Sequence, residues 1–187
     1  MPAARIALLM FLLLSFAGCN RVDREQQAKA LMSDASRLMV RDTQITKQWA
    51  EEFAKVFTVE NQAQFPANRD FLRAGAARII KLLDESSSLN NSAADKYEQA
   101  AGLWGNDQER RGMMSFASSF RKTAEINELL KSPLQMVSDE KVVDAKILNQ
   151  QLLHSWRLID QKRRESEHDF KEGKRLLLGR TKEAATR

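Results

Sequence analysis

The chain has 187 residues, of which 30 are lysine or arginine and 25 are aspartate or glutamate, and its formal net charge is +5. Residues 162–187 contain nine basic and five acidic residues, so this segment and Arg5 carry the whole basic excess. Residues 20–161 are neutral and lack the basic character of a nucleic-acid-binding domain. The chain has one cysteine, so an internal disulfide is excluded and stability must come from packing.

The composition favours helix throughout. The sequence has only seven glycines and three prolines, and it is rich in strong helix formers. No run of alternating β-branched residues indicates a strand. We therefore predict an all-α fold, an elongated antiparallel helical bundle of about four long helices that is partly coiled-coil-like. The bundle domain is expected to cover residues 23–180.

The first predicted element is a short apolar segment. Arg5 precedes residues 6–16, which are apolar except for Ser15. In a helix these residues extend about 16 Å, roughly half of a hydrocarbon core about 30 Å thick. A basic residue, a short apolar run and small residues at its end are typical of a secretory signal.

The signal ends in Phe16-Ala17-Gly18-Cys19. This motif resembles the lipobox of bacterial lipoproteins, and the resemblance covers about the first twenty residues. It implies that residues 1–18 are removed, that the Cys19 sulfur receives a diacylglyceryl group, and that the new amine is acylated, for example with palmitate. Residues 19–22 would then form the lipidated N-terminus and a short tether. The alternative is an ordinary signal peptide with a coincidental cysteine.

The residue after the cysteine bears on the location of the protein. In enteric Gram-negative bacteria an aspartate at this position tends to retain lipoproteins at the inner membrane. This chain has Asn20 instead. The resemblance therefore implies a bacterial envelope protein that faces the periplasm, at the outer membrane if the host is Gram-negative.

The first bundle helix is predicted over about residues 23–58, from one stripe of positions spaced alternately by four and three. The stripe comprises Leu31, Ala35, Leu38, Asp42, Ile45, Trp49, Glu52 and Val56. Residues 61–65 are expected to form a polar connector, and Pro66 suits the start of the next helix.

A second helix is predicted from a stripe that runs from Leu72 to Trp104. Its middle, residues 86–92, is rich in serine and asparagine, which compete for backbone hydrogen bonds. We therefore expect a kink or break near residues 88–91, where Ser92 could form a new N-cap.

The third helix is expected to be capped by Asn106 or Asp107 and to carry a stripe from Met113 to Leu130. Ser132-Pro133 is either a tight turn or a kink within a longer helix. The fourth helix carries a stripe that comprises Val142, Ala145, Leu148, Leu152, Trp156 and Ile159. Residues 181–187 are expected to form a frayed tail.

No set of catalytic or metal-binding residues stands out. His154 and His168 lie about 21 Å apart on one continuous helix, too far for a shared metal. Glu165 and His168 have a spacing used in di-iron bundles, but such sites need two of these motifs. We therefore predict no enzyme, no cofactor and no metal, although a carboxylate pair converging across helices would not be visible in the sequence.

For two groups of residues, the sequence allows either a packing role in the core or a role in binding a ligand. Trp49, Trp104 and Trp156 lie on the stripes, where core packing is expected and a ligand pocket is the alternative. Asp42, Glu52 and Asn127 interrupt the stripes. These polar residues set helix register or line a small polar cavity, or else they face water.

Basic clusters complete the set of candidate sites. Arg110-Arg111 is one cluster, and residues 162–164 form another; both are either solvated surface or contacts with an anionic surface. The predicted contact residues are Lys162, Arg163, Arg164, Lys174 and Arg175. Anionic lipid, lipopolysaccharide phosphate and peptidoglycan carboxylates are the candidate surfaces. Removal of residues 162–187 is expected to weaken such binding.

The resemblance and the helical pattern together favour a lipid-anchored envelope protein that acts as a structural or partner-binding bundle in the periplasm. The partners expected are the membrane, through the lipid anchor, and an envelope protein, peptidoglycan or anionic lipid; nucleic acid is not expected. The first alternative is a periplasmic ligand-binding bundle with a cleft between helices, and the second is an enzyme that uses carboxylates.

Overall fold

The computed structural model describes the backbone of residues 2–65, 67–139 and 145–184, and the side chains of residues 22–65, 67–139 and 146–178. This part of the chain forms five helices and no strand, which confirms the predicted all-α bundle. The helices are α1 (Pro2–Val56), α2 (Val59–Ala63), α3 (Arg69–Leu103), α4 (Asp107–Ser138) and α5 (Ala145–Ala184). Pro66 and Val142 lie outside the described residues.

Helix α1 is continuous from the predicted signal segment into the bundle. Its stripe faces inward as predicted, with Ala35 and Val56 fully buried. The predicted connector overlaps a helical turn, since α2 covers Val59–Ala63. Thr58 caps this turn by accepting a hydrogen bond from the backbone N–H of Asn61 at 3.1 Å.

Helix α3 runs unbroken through its serine- and asparagine-rich middle, so the predicted break near residues 88–91 is wrong. Ser86, Ser87 and Asn90 are buried there. The Asn90 amide donates to the Ser86 carbonyl oxygen, one turn earlier, at 2.9 Å. Because Ser86 and Asn90 bond within the helix and Ser86 also bonds to neighbouring helices, packing outweighs the weak helix propensity of this segment.

Helix α4 begins where the sequence predicts. The Asn106 side chain accepts hydrogen bonds from the backbone N–H groups of Gln108 and Glu109, at 2.9 and 3.1 Å. The helix then continues through Pro133 to Ser138, so a tight turn at Ser132-Pro133 is wrong. Pro133 is fully buried, and this packing compensates for the intrahelical hydrogen bond that proline cannot make.

The long helices pack in sequence order: α1 against α3, α3 against α4, and α4 against α5. Among the described residues, α1 and α5 do not pack closely along their lengths. Helix α5 therefore has one close neighbour and a narrow buried face. Ser155 is buried, whereas Trp156, a member of the predicted stripe, is 45% exposed, so its expected core packing is wrong.

A pair of glycines sets the approach of α4 to α5. A Cβ atom at Gly112 would lie 3.2 Å from the Gly173 carbonyl oxygen, and one at Gly173 would lie 2.9 Å from the Gly112 carbonyl oxygen. The two backbones thus meet directly, which only residues without a side chain permit. Gly173 therefore has a packing role in addition to its low helix propensity.

The interior has two apolar clusters with a polar layer between them. The first cluster centres on Leu72, Ile79 and Leu83 of α3, and the second on Tyr97 and several alanines. The buried polar residues between them include Ser86, Ser87, Asn90, Ser119, Asn127 and Ser166. Within the described residues, no helical stretch combines the length and apolar character needed to cross a bilayer.

Candidate functional site

A groove runs between α1 and α5. These two helices form its walls, and α3 and α4 form its floor. The groove contains two cavities, which we call the polar cleft and the apolar cavity. They lie next to each other along the bundle, and the apolar cavity is nearer the end at which α1 enters from Cys19.

The polar cleft has a volume of about 340 Å³ and receives residues from all four long helices. Its lining residues are Met39, Asp42, Thr43, Asn90, Ser119, Phe120, Thr123, Ser166, Glu167, Phe170 and Lys171. Its volume falls within the range of ligand pockets, which is about 300–1,000 Å³.

A hydrogen-bond network joins α1, α3 and α4 beneath the polar cleft, and its member Asp42 lines the cleft. The Ser86 hydroxyl donates to a carboxylate oxygen of Asp42 at 2.5 Å and accepts from the Asn127 amide at 2.8 Å. Ser86 thus connects Asp42 of α1 to Asn127 of α4, and both of these polar residues interrupt an apolar stripe. The third such residue, Glu52, is half-buried and pairs with Arg78 of α3 at 2.5 Å.

Burial controls the titration of Asp42. Burial raises the pKa of its carboxyl group above the usual value, and hydrogen bonds from Ser86 and Asn90 offset part of this increase. The folded protein therefore holds the proton more tightly than the unfolded chain. The stability that Asp42 contributes is fully present below its unfolded pKa and is lost as pH rises through its folded pKa.

Substituting Asp42→Asn should therefore stabilise the protein at pH 7 and have a diminishing effect toward pH 4. The asparagine can still accept the Ser86 hydrogen bond, and it removes a partly buried charge. Urea unfolding at several pH values would measure the effect. Asp23→Asn, at an exposed position of the same helix, is the control and should change stability little. A D42N protein less stable than wild type at pH 7 would contradict this account.

The polar cleft continues onto the α4–α5 interface. The hydroxyls of Ser119 and Ser166 each donate to the other residue's backbone carbonyl oxygen, at 2.9 and 3.0 Å. Thr123 lies within 3.3 Å of the Ser166 hydroxyl. Because the protons of these three hydroxyls are already donated to backbone carbonyl oxygens, the hydroxyls and Asp42 offer acceptor oxygens to a bound polar group.

The apolar cavity has a volume of about 370 Å³ and lies between α1, α4 and α5. Its lining residues are Lys29, Met32, Trp104, Glu109, Met113, Phe116, Lys174, Leu177 and Leu178. The Trp104 indole N–H donates to the Glu109 carboxylate, so the only polar atom of the ring already has a partner. The cavity is therefore mainly hydrocarbon and aromatic.

The predicted sites do not converge on one place. Cys19 lies within α1, and its side chain is outside the described set. Lys162 and Lys174 are both on α5, about 18 Å apart along its axis. The basic residues thus form two groups, Lys162 to Arg164 and Lys174 with Arg175. Only the second group is near the end of the bundle where the chain continues from Cys19.

The first basic group is neutralised by nearby carboxylates. Lys162 pairs with Glu125 of α4 at 2.7 Å, and this hydrogen bond raises the pKa of Lys162. Arg163 and Arg164 both pair with Asp160, at 2.9 and 2.6 Å. Their hydrogen bonds lower the pKa of Asp160. These residues make a mixed-charge surface rather than a cationic patch.

The second basic group differs in its pairing. Arg175 pairs with Glu172 through two hydrogen bonds of 2.6 and 2.7 Å. Lys174 is exposed at the mouth of the apolar cavity and forms no ion pair with the described residues. Arg110, from the remaining cluster, pairs with Asp107 at 2.9 Å.

The two histidines, His154 and His168, are exposed, and Glu165, which shares a di-iron-like spacing with His168, is half-buried. Glu165 accepts a hydrogen bond from Gln161 at 3.0 Å and lies 3.8 Å from Lys162. Within the described residues, no three histidine, cysteine, aspartate or glutamate side chains group as metal ligands would.

Some residues of the site can be recognised as unusual in the sequence, and others cannot. Asp42 and Asn127 interrupt otherwise apolar stripes, and both belong to the polar layer. Ser86 lies on a predicted stripe, but it belongs to a segment rich in serine and asparagine that predicts a helix break rather than a polar contact. Lys29 gives no local signal, because an exposed lysine on a helix is ordinary.

No protein-family model, no curated protein and no solved structure matches this chain.

Proposed function

We propose that this protein is a lipid-anchored component of the bacterial envelope that binds a partner in the groove between α1 and α5 on the periplasmic side. The lipobox-like motif at Cys19 supports the anchor. The open groove carries the binding proposal, because α1 and α5 face each other across two cavities rather than packing together.

The direction of α1 relates the anchor to the groove. Lys29 follows Cys19 by ten residues, which is about 15 Å along a helix. Lys174 lines the same cavity from α5. Acyl chains on Cys19 would bring this end of the bundle to the headgroup region, where each basic residue contributes about 1 kcal/mol of attraction to an anionic surface.

The anchor can be tested by mass spectrometry of the N-terminal peptide from the native protein. A cleaved peptide that begins at Cys19 and carries a diacylglyceryl thioether is expected. A peptide with a free thiol would reject the anchor. The measurement requires only the peptide, so it is independent of what the groove binds.

The groove can be tested by photocrosslinking in cells. A photoreactive residue at Thr43, which lines the polar cleft, should give a discrete crosslinked product. The matched position is Gln44, an exposed neighbour outside the cleft lining. Equal products from both positions would show that the contact is not specific to the groove.

The contribution of the basic residues is better tested by substitution than by removal of residues 162–187. Leu176 is buried, and Gly173 contacts α4, so removal would delete half of a packed helix. In a Cys19→Ala background, Lys174→Gln should weaken residual binding to phosphatidylglycerol vesicles by about 1 kcal/mol, or about fivefold.

The matched control is Lys162→Gln, which removes the same charge from a lysine that already pairs with Glu125. Its effect on vesicle co-sedimentation at low salt should be smaller. If both substitutions weaken binding equally, the vesicles sense only net charge and the position of Lys174 has no special role.

A ligand-binding bundle is the second candidate function. The observation that favours it is the volume of the two cavities, about 340 and 370 Å³, which lies at the lower end of the usual range for ligand pockets. Trp104 lines one of them. A saturable change in Trp104 fluorescence with one class of compound would support this function over scaffolding.

A further inference from the structure

We infer that the apolar cavity is a binding site for one acyl chain of an anionic lipid, whose headgroup lies between Lys29 and Lys174. This inference deepens the proposed function and rests on it for the source of the lipid, the membrane that holds Cys19. The cavity lining, the charge at its mouth and its position in the bundle each support the assignment.

The lining suits a flexible hydrocarbon chain. Trp104 and Phe116 supply aromatic surface, and Met32 and Met113 are unbranched side chains that adapt to ligands of varied shape. Because the Trp104 N–H is bonded to Glu109, a ligand is not needed to satisfy it. An apolar occupant therefore leaves no polar atom of the indole without a partner.

The size of the cavity favours a narrow ligand. Its volume of about 370 Å³ lies at the lower end of the range for ligand pockets. A segment of one hydrocarbon chain is such a ligand, and the rest of the chain would remain in the membrane. An α-helix with its side chains is a broader occupant, about 10 Å wide.

The charge at the mouth favours an anionic headgroup. Lys29 and Lys174 are exposed, line the cavity and form no ion pair with the described residues. Their methylene stems can pack along the chain while their ammonium groups reach the headgroup. The Glu109 carboxylate also lines the cavity and opposes an anion, but the two lysines exceed its charge.

Two other lysines between helices are engaged, although Lys171 at the neighbouring polar cleft forms no ion pair with the described residues. Lys131 pairs with Asp84 at 2.5 Å, and Lys122 pairs with Asp169 at 2.8 Å. Two lysines from different helices that face one apolar cavity without such partners are therefore a distinct feature. Both lysines lie at the end of the bundle that is nearest to Cys19 along α1, where the headgroups of an anchoring membrane would be.

The test uses the mature lipidated chain, which begins at Cys19, in phosphatidylcholine vesicles, with Trp49→Phe and Trp156→Phe so that Trp104 is the only tryptophan. The first change removes a buried indole N–H that has no hydrogen-bond partner in the described structure. Phosphatidylglycerol with brominated acyl chains should quench Trp104 saturably and at least threefold more effectively than brominated phosphatidylcholine. Equal quenching by the two lipids would overturn the inference.

A cavity-filling variant separates binding from simple nearness to the membrane. Met32→Phe with Leu178→Phe should reduce the phosphatidylglycerol quenching of Trp104 at least threefold. Unchanged quenching in a variant that keeps its helical circular dichroism would overturn the inference. If this variant loses its helicity, the variant with Lys29→Gln and Lys174→Gln decides whether the cavity binds the anionic lipid.

Lys29→Gln with Lys174→Gln should remove the preference for the anionic lipid. The matched control is Lys47→Gln with Lys146→Gln, two exposed lysines that do not line the cavity, and it should keep the preference. Loss of preference in both, or in neither, would overturn the inference. Vesicle flotation is recorded throughout: a protein that does not float has failed the anchor proposal, whereas a floating protein with unquenched Trp104 has failed only the cavity assignment.

Discussion

A chain that carries Cys19→Ala is expected to lose palmitate labelling completely and to leave the membrane fraction after salt and carbonate washing. Two or more acyl chains hold a protein stably at a membrane, with about 0.8 kcal/mol gained per buried methylene. The basic residues that remain would supply only about 1 kcal/mol each, and salt screens that attraction. The expected change is therefore from stable to marginal attachment.

The control for this experiment is Asn20→Ser, which keeps the cysteine and should keep the label. The uncleaved apolar segment of the Cys19→Ala chain extends only about 16 Å as a helix, so it attaches the protein to the membrane less strongly than the acyl chains would. A washed membrane fraction that retains Cys19→Ala and wild type equally, with no label on either, would reject the lipid anchor.

Gly75→Ala should destabilise the bundle by about 1–3 kcal/mol, the usual effect of overpacking a core. A Cβ atom at this position would overlap both Cγ atoms of Val56. Val56 is fully buried at the end of α1, so it cannot turn away into solvent. The substitution would therefore force α3 away from α1, and urea unfolding would measure the loss.

The matched substitution is Gly102→Ala in the same helix, where an added Cβ atom would meet no atom within 4 Å. It should be neutral or stabilising by up to about 1 kcal/mol, because alanine is the better helix former. Combining Gly75→Ala with Val56→Ala tests the cause, since the overlap is then removed and the two effects should not add. Equal unfolding midpoints for Gly75→Ala and Gly102→Ala would contradict this packing.

The candidate site was partly predictable from the sequence. Asp42 and Asn127 stand out as polar residues on apolar stripes, which indicates a buried polar layer or a solvent-facing position. Their connection through Ser86 could not be predicted, because it depends on the relative rotation of α1, α3 and α4. The pairing of Lys162 with Glu125 likewise depends on the α4–α5 alignment, and it changes an apparent cationic cluster into a mixed-charge surface.

Local sequence rules were sufficient where one helix determines the outcome by itself. The spacing of Leu72, Ile79, Leu83 and Tyr97 determined which face of α3 is buried, since a helix places residues three and four apart on one side. Asn106 determined where α4 begins, because its side chain satisfies backbone N–H groups that have no other partner.

Only the tertiary structure decided whether α3 and α4 continue through their weak points. Burial of Ser86 and Asn90 between neighbouring helices stabilises a segment whose own propensity favours a break, and burial of Pro133 does the same in α4. The tertiary structure also decided that α1 and α5 do not pack closely together, which leaves the groove between them open. These outcomes depend on contacts between residues far apart in the sequence, and the free energy of such contacts exceeds the few tenths of a kcal/mol by which most local propensities differ.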